Sequence, residues 1–201
     1  MKIYIHFNQR DQAYALHAMA KYWDKTLNNA MFAGIAIQKD NSHVNFLRSQ
    51  TDVSYEFIDT VDEIESGCID RTVTIDEVSR WEERLGKSIT QMFVADRNLG
   101  HQYVTGGIQV RTDVMKKINH AALQSIACCF LNHYYWRLKN FGPDFIFLPA
   151  TAAFHSLALT HVAQLLGIPF YIPRDARTLD FFYISDNCAT QGSSLLVHSY
   201  K

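Results

Sequence analysis

An excess of charge of either sign is missing from this sequence of 201 residues. Its 19 lysines and arginines are balanced by 20 aspartates and glutamates, which gives a formal net charge of -1. Duplex DNA or RNA needs a basic face to bind, so nucleic acid is not expected as a partner. A small anionic ligand needs only one or two well-placed arginines. Hydrophobic residues make up 48% of the chain, which predicts a folded rather than a disordered protein.

Long apolar runs are also missing. Residues 1–10 turn polar too early for the apolar core of a signal peptide. The most apolar helical stretch, 121–136, is interrupted by Gln124, Asn132 and His133, so no transmembrane segment is predicted. We therefore expect a cytoplasmic location.

Cysteine is scarce, and its spacing carries no motif. Cys68, Cys128, Cys129 and Cys188 contain no CxxC pair, and adjacent Cys128 and Cys129 would point to different faces of a helix. Buried free thiols in a reducing compartment are expected, rather than a disulfide or a metal site.

Several familiar site motifs are absent. No GxGxxG follows the first predicted strand and no P-loop occurs, which argues against classical dinucleotide or ATP binding. No GxSxG elbow of an α/β-hydrolase is present. The nine histidines show no HExxH and no paired metal-ligand spacing. We therefore expect neither a metal nor a cofactor in this chain.

What is present is an alternation of strands and helices. Residues 2–7 form an alternating, β-branched strand pattern, and residues 11–27 carry apolar side chains at helical spacing. An apolar run at 31–37, a helical piece at 43–48 and an alternating segment at 53–58 follow. This rhythm predicts a parallel sheet with helices on both faces.

The middle of the chain is predicted to be helical. Thr74 and Glu77 form a capping box ahead of a helix that ends at Gly86. A second helix is predicted at 89–96 and a long one at 112–139.

The last third returns to the α/β pattern. A strand is predicted at 144–149, a helix at 151–166 and another strand at 168–173. The predicted fold is therefore α/β: a Rossmann-like, doubly wound, mostly parallel sheet with a helical insertion.

The domain organisation follows from this pattern. We expect one domain over residues 1–185, with the helical insertion at about 60–139. Residues 186–201 are predicted to be a tail, a linker or an edge strand.

Polar side chains follow three of the predicted strands. Ligands of open α/β sheets bind outside the carboxyl ends of the strands, so these three turns are expected to line one crevice. The candidate site residues in them are Asn8, Arg10, Thr151, Phe154, His155, Arg174 and Arg177.

His155 is the candidate general base. It falls in the first turn of its predicted helix, where the positive end of the helix dipole lowers the pKa of an imidazole. The neutral ring can then accept a proton from a hydroxyl group. A surface histidine without a role is the competing interpretation.

The arginines are candidates for anion binding. Arg174, together with helix-terminus amides near Thr151, is expected to hold an anionic group such as a phosphate or a carboxylate. Arg174 and Arg177 also have ordinary salt-bridge partners in Asp175 and Asp180.

Other residues have both a functional and a structural interpretation. Asn8 orients a ligand or caps the first helix. His6 ends an apolar strand and is more easily explained as a hydrogen-bonded structural histidine than as a base. Asp96 and Arg97 are predicted to form a local network of charge and backbone, with a catalytic Asp96 as the alternative.

Five segments carry a resemblance to a known family. They are WEERLG at 81–86, ADRNL at 95–99, GPDFIF at 142–147, LGIP at 166–169 and Arg174 beyond them. Their order resembles the amino-terminal half of bacterial capsule and surface-polysaccharide biosynthesis proteins, which are GT-B-type glycosyltransferases or close relatives. The likeness runs from the first strand to about residue 185.

The resemblance implies a division of labour between two Rossmann-like domains. In such proteins the carbohydrate acceptor binds mainly to the amino-terminal domain, and the nucleotide-sugar donor binds mainly to the carboxyl-terminal one. This chain ends at Lys201, so it is expected to be an acceptor-side domain that is inactive alone. A donor is expected only with a second domain or a partner protein.

The resemblance also assigns roles within the crevice. His155 would act as the base, while Asn8, Thr151 and Arg174 would orient the acceptor. The ring of Phe154 would stack on a sugar face. Whether the chain belongs to an enzyme stays open at this point. The alternative is a non-catalytic module that binds carbohydrate or nucleotide, or that serves in assembly.

Overall fold

The computed structural model describes residues 1–7, 10–37, 42–68, 71–96, 120–149, 153–175 and 182–186. Within these ranges the strands are β1 (Lys2–Phe7), β2 (Met31–Ala36), β3 (Tyr55–Thr60), β4 (Phe145–Phe147), β5 (Phe170–Asp175) and β6 (Phe182–Ser185). The helices are α1 (Arg10–Leu27), α2 (Ser42–Ser49), α3 (Val61–Ser66), α4 (Ile75–Leu85), α5 (Ile89–Ala95), α6 (His120–Phe141) and α7 (Phe154–Leu165).

The strands form one six-stranded sheet in the order β3-β2-β1-β4-β5-β6. Strands β1 to β5 pair in parallel, and β6 pairs antiparallel with β5. The chain therefore moves outward from β1 to β3 on one side and from β4 to β6 on the other. Between β1 and β4 the direction of winding reverses, so this pair is the topological switch point of the sheet.

Side-chain alternation along β1 explains why helices cover both faces of the sheet. Successive residues of a strand point to opposite faces, and β1 is buried along nearly its whole length. Ile3 and Ile5 join the core beneath α1 and α2. Tyr4 joins the larger core beneath α6 and α7. This arrangement confirms the predicted Rossmann-like, mostly parallel α/β fold.

Helices α3, α4 and α5, which lie between β3 and β4, begin where the sequence provides caps. The Thr74 hydroxyl accepts a hydrogen bond from Glu77 N at 3.2 Å, and α4 ends at Gly86 with φ +63°, as the capping box predicted. Helix α3 was not predicted, although Thr60 and Glu63 have the same spacing and the same bond at 3.2 Å. The described part of the predicted helix 112–139 begins at His120.

Some strand boundaries differ from the sequence-based expectation. Strand β3 begins at Tyr55, because residues 51–53 form bends instead of continuing the strand. Strand β5 continues through Asp175, beyond the predicted end at Pro173, because β6 pairs with its last residues.

The expectation of free thiols is wrong for two cysteines. Cys68 and Cys129 form a disulfide, with their Cα atoms 6.1 Å apart. The turn after α3 packs against the middle of α6, which brings together residues separated by 61 positions. No local spacing motif could reveal this contact. Cys128 is a buried free thiol, and burial raises its pKa to about 12.

A helix that crosses a membrane must be both long and apolar. Among the described helices, none combines enough residues with enough apolar character to cross a membrane.

Candidate functional site

The candidate site lies at the carboxyl ends of β1 and β4. In open α/β sheets the switch point opens a crevice where ligands bind. His6 is the second-last residue of β1, and α7 begins shortly after β4 with Phe154 and His155. The topology therefore brings the end of the first strand and the start of α7 to the same crevice.

Two histidines meet there. Nε2 of His6 lies 3.1 Å from Nδ1 of His155. Their rings are stacked, with an interplanar angle of 6° and centroids 5.1 Å apart. His6 is only 1% exposed, whereas His155 is half-buried. We call these two residues the histidine pair.

The geometry couples the tautomers of the histidine pair. In a hydrogen bond between two neutral imidazoles, one nitrogen donates and the other accepts. If Nδ1 of His155 carries the hydrogen, Nε2 of His155 keeps a lone pair and can accept a proton. If Nε2 of His6 carries the hydrogen instead, Nε2 of His155 becomes a donor.

Both histidines are uncharged at neutral pH. The pKa of His6 is lowered to about 3, mainly by burial and secondly by electrostatic repulsion from His155, while a hydrogen bond with the backbone of His6 acts in the opposite direction. Burial also lowers the pKa of His155 to about 4. His155 was expected to be neutral because of the helix dipole, but the main cause is burial.

A carboxylate from the insertion caps α7. The residue at the N-cap position, Ala153, makes no side-chain hydrogen bond. Instead, the backbone N–H of Phe154 donates to Oδ2 of Asp96 at 2.6 Å, and Asp96 is 6% exposed. The network of Asp96 thus includes backbone from a distant part of the chain as well as its own turn, where its N–H donates to the carbonyl of Phe93 at 3.1 Å. Arg97 lies outside the described residues.

The structure places the ring of Phe154 in the core. It stacks on Phe93 at 5.0 Å and packs edge-on against Phe130 at 5.8 Å. Phe154 is 5% exposed, so its ring has no free face for a sugar. The expectation that Phe154 stacks on a ligand is corrected here, because its position in the helix turns it inward.

Arg10 and Arg174 are described only by their backbone. Arg10 is the first residue of α1, three positions after the last residue of β1. Arg174 lies within β5, paired with Tyr183 of β6, and not beyond the strand as expected. The other predicted site residues, Asn8, Thr151 and Arg177, lie outside the described residues.

A second polar cluster at the same end of the sheet was missed by the sequence interpretation. Arg137 donates two hydrogen bonds to Asp59, at 2.7 and 2.8 Å, and Nε2 of His133 lies 2.9 Å from the same carboxylate. Burial acts to raise the pKa of Asp59, but the bonds from His133 and Arg137 outweigh it and hold the pKa low. In the sheet, His6 of β1 and Asp59 of β3 both pair with Ile35 of β2, so the two residues lie at the same level along their strands.

Possible metal ligands were sought among the histidine, cysteine, aspartate and glutamate side chains. In the described ranges, no group of three or more of these side chains is arranged to hold a metal ion.

The sheet order defines this chain as a Rossmann-like α/β domain, and the histidine pair lies at its topological switch point. Neither known protein-family models nor curated proteins match its sequence.

Among solved structures, the chain is similar to the crystal structure of UDP-GlcNAc 2-epimerase from Neisseria meningitidis bound to UDP-GlcNAc. The TM-score is 0.45 and the sequence identity is 12%, and the match covers 90% of this chain and 34% of the other. The chain therefore spans about a third of the length of that structure.

Proposed function

We propose that this chain is the acceptor-side domain of a glycosyltransferase-like protein in surface or capsular polysaccharide biosynthesis. The observation that carries the proposal is the position of the histidine pair, with His6 and His155 3.1 Å apart at the switch point. The motif resemblance at 81–86, 95–99 and 142–147 supports the assignment to this class. The domain comprises residues 1–185 with the insertion at about 60–139, and residues 186–201 are a linker, tail or edge strand.

His155 is the residue that meets the acceptor. Its Nδ1 is occupied by His6, so Nε2 is the ring nitrogen left for a ligand. When Nδ1 donates to His6, Nε2 accepts the proton of an acceptor hydroxyl. The hydroxyl oxygen then bonds to the anomeric carbon of the donor sugar, and the bond from that carbon to the nucleotide phosphate breaks. In the inverting case no covalent enzyme intermediate forms.

The other residues of the proposal orient the acceptor. Asn8, Arg10 and Thr151 follow the ends of β1 and β4 in the sequence, Arg174 lies within β5, and Arg177 follows β5 in the sequence. The nucleotide-sugar donor is supplied with a second domain or a partner protein, and the chain needs no metal or cofactor of its own.

A second candidate function is a non-catalytic carbohydrate-binding module. The low pKa of His155, about 4, favours this alternative. A general base works best when its pKa lies near the working pH, and an imidazole so resistant to protonation is better suited to hydrogen bonding. Continuation of the gene past codon 201 into a second α/β domain favours the transferase, and a stop there favours the module.

Glycan binding tests the site common to both candidates. We expect the chain to bind a subset of bacterial polysaccharide fragments on a glycan array, and His155→Ala to lose that binding while keeping its circular dichroism spectrum. His161→Ala is the matched control, because His161 lies on the same helix but contacts Lys87 and Gln164 instead of the pair. Absence of glycan binding, or equal loss in both variants, contradicts the proposal.

A further inference from the structure

A small cleft lies between the end of α4 and the carboxyl-terminal part of α7, whereas the histidine pair lies at the start of α7. The volume of the cleft is about 100 Å³, and its lining includes Arg84, Lys87 and Gln164. One water molecule takes about 30 Å³ of liquid volume, and pockets for drug-sized ligands have about 300–1,000 Å³. The cleft therefore has room for one small group, such as a single phosphate, but not for a whole nucleotide.

Arg84 is held in this cleft by aromatic rings. Its guanidinium carbon lies 5.4 Å from the ring centre of Trp81 and 5.7 Å from that of Tyr135. Arg71 and Arg137, by contrast, pair with the carboxylates of neighbouring elements. Aromatic rings bind a guanidinium through its flat face, so the N–H groups at its edge remain available to an oxyanion.

Lys87 brings a second positive charge to the cleft. Its Nζ lies 3.4 Å from Nδ1 of His161. Burial, followed by the charge of Lys87, lowers the pKa of His161, so this ring is mainly uncharged at neutral pH. In the part of the chain that the structure describes, neither Arg84 nor Lys87 forms an ion pair with a carboxylate. The two positive charges are therefore not offset within these residues.

The helix ends at the cleft do not use up these charges. Basic side chains near a helix end often serve its unpaired carbonyl groups. At the end of α4, however, the carbonyls of Glu82 and Glu83 accept hydrogen bonds from the backbone N–H groups of Lys87 and Gly86, at 3.2 and 3.3 Å. The end of α7 is closed by backbone bonds in the same way. The side-chain carboxylate of Glu82 is also engaged, by Ile89 N at 2.9 Å.

We propose that Arg84, Lys87 and Gln164 form a binding site for an oxyanion of the size of phosphate. Arg84 donates through the edge of its guanidinium and Lys87 through its ammonium group, and the side-chain amide of Gln164 supplies a neutral donor. The anion is either free or the terminal group of a larger molecule that extends into solvent. His161 brings no charge and is not a ligand of the anion. The site does not rest on the proposed function, which concerns His155 at the other end of α7.

Phosphate titration tests the site directly. The probe is inorganic phosphate, added to the nitrogen-15-labelled chain at constant ionic strength, because salt screens exposed charges. We expect a saturable shift of the backbone N–H signal of Lys87 in proton–nitrogen NMR spectra. Arg84→Gln should lower the phosphate affinity about tenfold or more, as loss of a charge-assisted hydrogen bond allows. Lys87→Gln, followed at the same backbone N–H, should change the affinity in the same direction.

The matched control is Arg80→Gln. Arg80 lies on the same helix, one turn before Arg84, but donates to the backbone carbonyl of Asp76 at 3.2 Å. This variant removes the same charge and should keep the wild-type affinity. A parallel titration with glucose 1-phosphate distinguishes the two sources of the anion. Binding at least as tight as that of phosphate indicates a terminal phosphate group, and weaker binding indicates a free anion.

Three results overturn the proposal: no saturable shift in the wild type, wild-type affinity in the folded Arg84→Gln chain, or an equal loss of affinity in Arg80→Gln. Circular dichroism checks that each variant is folded, and Lys87→Gln decides if Arg84→Gln is not. Glycan binding does not enter this test, so its outcome is independent of whether the proposed function holds.

Discussion

Folding changes the acid–base chemistry of His6 and His155. The unfolded chain binds a proton at each imidazole near pH 6.5, whereas the folded chain does so only at about pH 3 and about pH 4. Between these values the unfolded state holds more protons, so stability rises with pH. The pair destabilises the fold increasingly as the pH falls below about 6.5, down to about pH 4 for His155 and about pH 3 for His6.

His155→Asn should make the protein less sensitive to acid. We expect the slope of unfolding free energy against pH, measured by urea denaturation between pH 4 and pH 7, to decrease by up to about 1.4 kcal/mol per pH unit. His17 and His161 also have pKa values lowered by burial, but both remain in the variant and cancel in the comparison. Parallel slopes for the two proteins would show that folding does not keep His155 neutral.

The sequence made His155 a candidate site residue but did not indicate that His6 contacts it. His155 was recognisable because it falls in the first turn of a helix after a strand, which is a local feature. Its contact with His6 spans 149 positions and exists only in the folded sheet. The predicted role of Phe154 was wrong, because the side chains of successive helix residues point about 100° apart. Phe154 therefore faces the core, while its neighbour His155 contacts His6.

Helix ends show the same division between local and long-range information. The cap of α4 is local, because Thr74 binds Glu77 N three residues on. The cap of α7 is not, because Asp96 and Phe154 are 58 positions apart. The first was predicted from the sequence, and the second could not be, since nothing in residues 95–99 indicates where α7 lies.

Thr74→Ala tests the local cap. Loss of the hydroxyl should lower the free energy of unfolding by about 1 kcal/mol, a typical cost for an N-cap, and shift the urea midpoint accordingly. Thr74→Ser keeps the hydroxyl and should retain most of the wild-type stability. Equal midpoints for the wild type and Thr74→Ala would mean that the hydroxyl does not stabilise the start of α4.

Over the whole molecule, the alternation of strands and helices was sufficient to predict the fold class. Apolar strand patterns separated by helical ones leave few arrangements other than a parallel sheet covered on both faces. The disulfide between Cys68 and Cys129 was not predictable, because it depends on how the turn after α3 packs against α6. The convergence of β1 and α7 at the switch point follows from the sheet order, which the sequence alone did not specify.

The acceptor-side assignment is tested most directly by transfer from radiolabelled nucleotide-sugars to the glycan that the chain binds. We predict no transfer by the 201-residue chain alone, and transfer once a donor-side domain is supplied. In that complete enzyme, His155→Ala should abolish transfer and His161→Ala should retain it. Transfer by the chain alone, or unchanged transfer by the His155→Ala enzyme, would contradict the assignment.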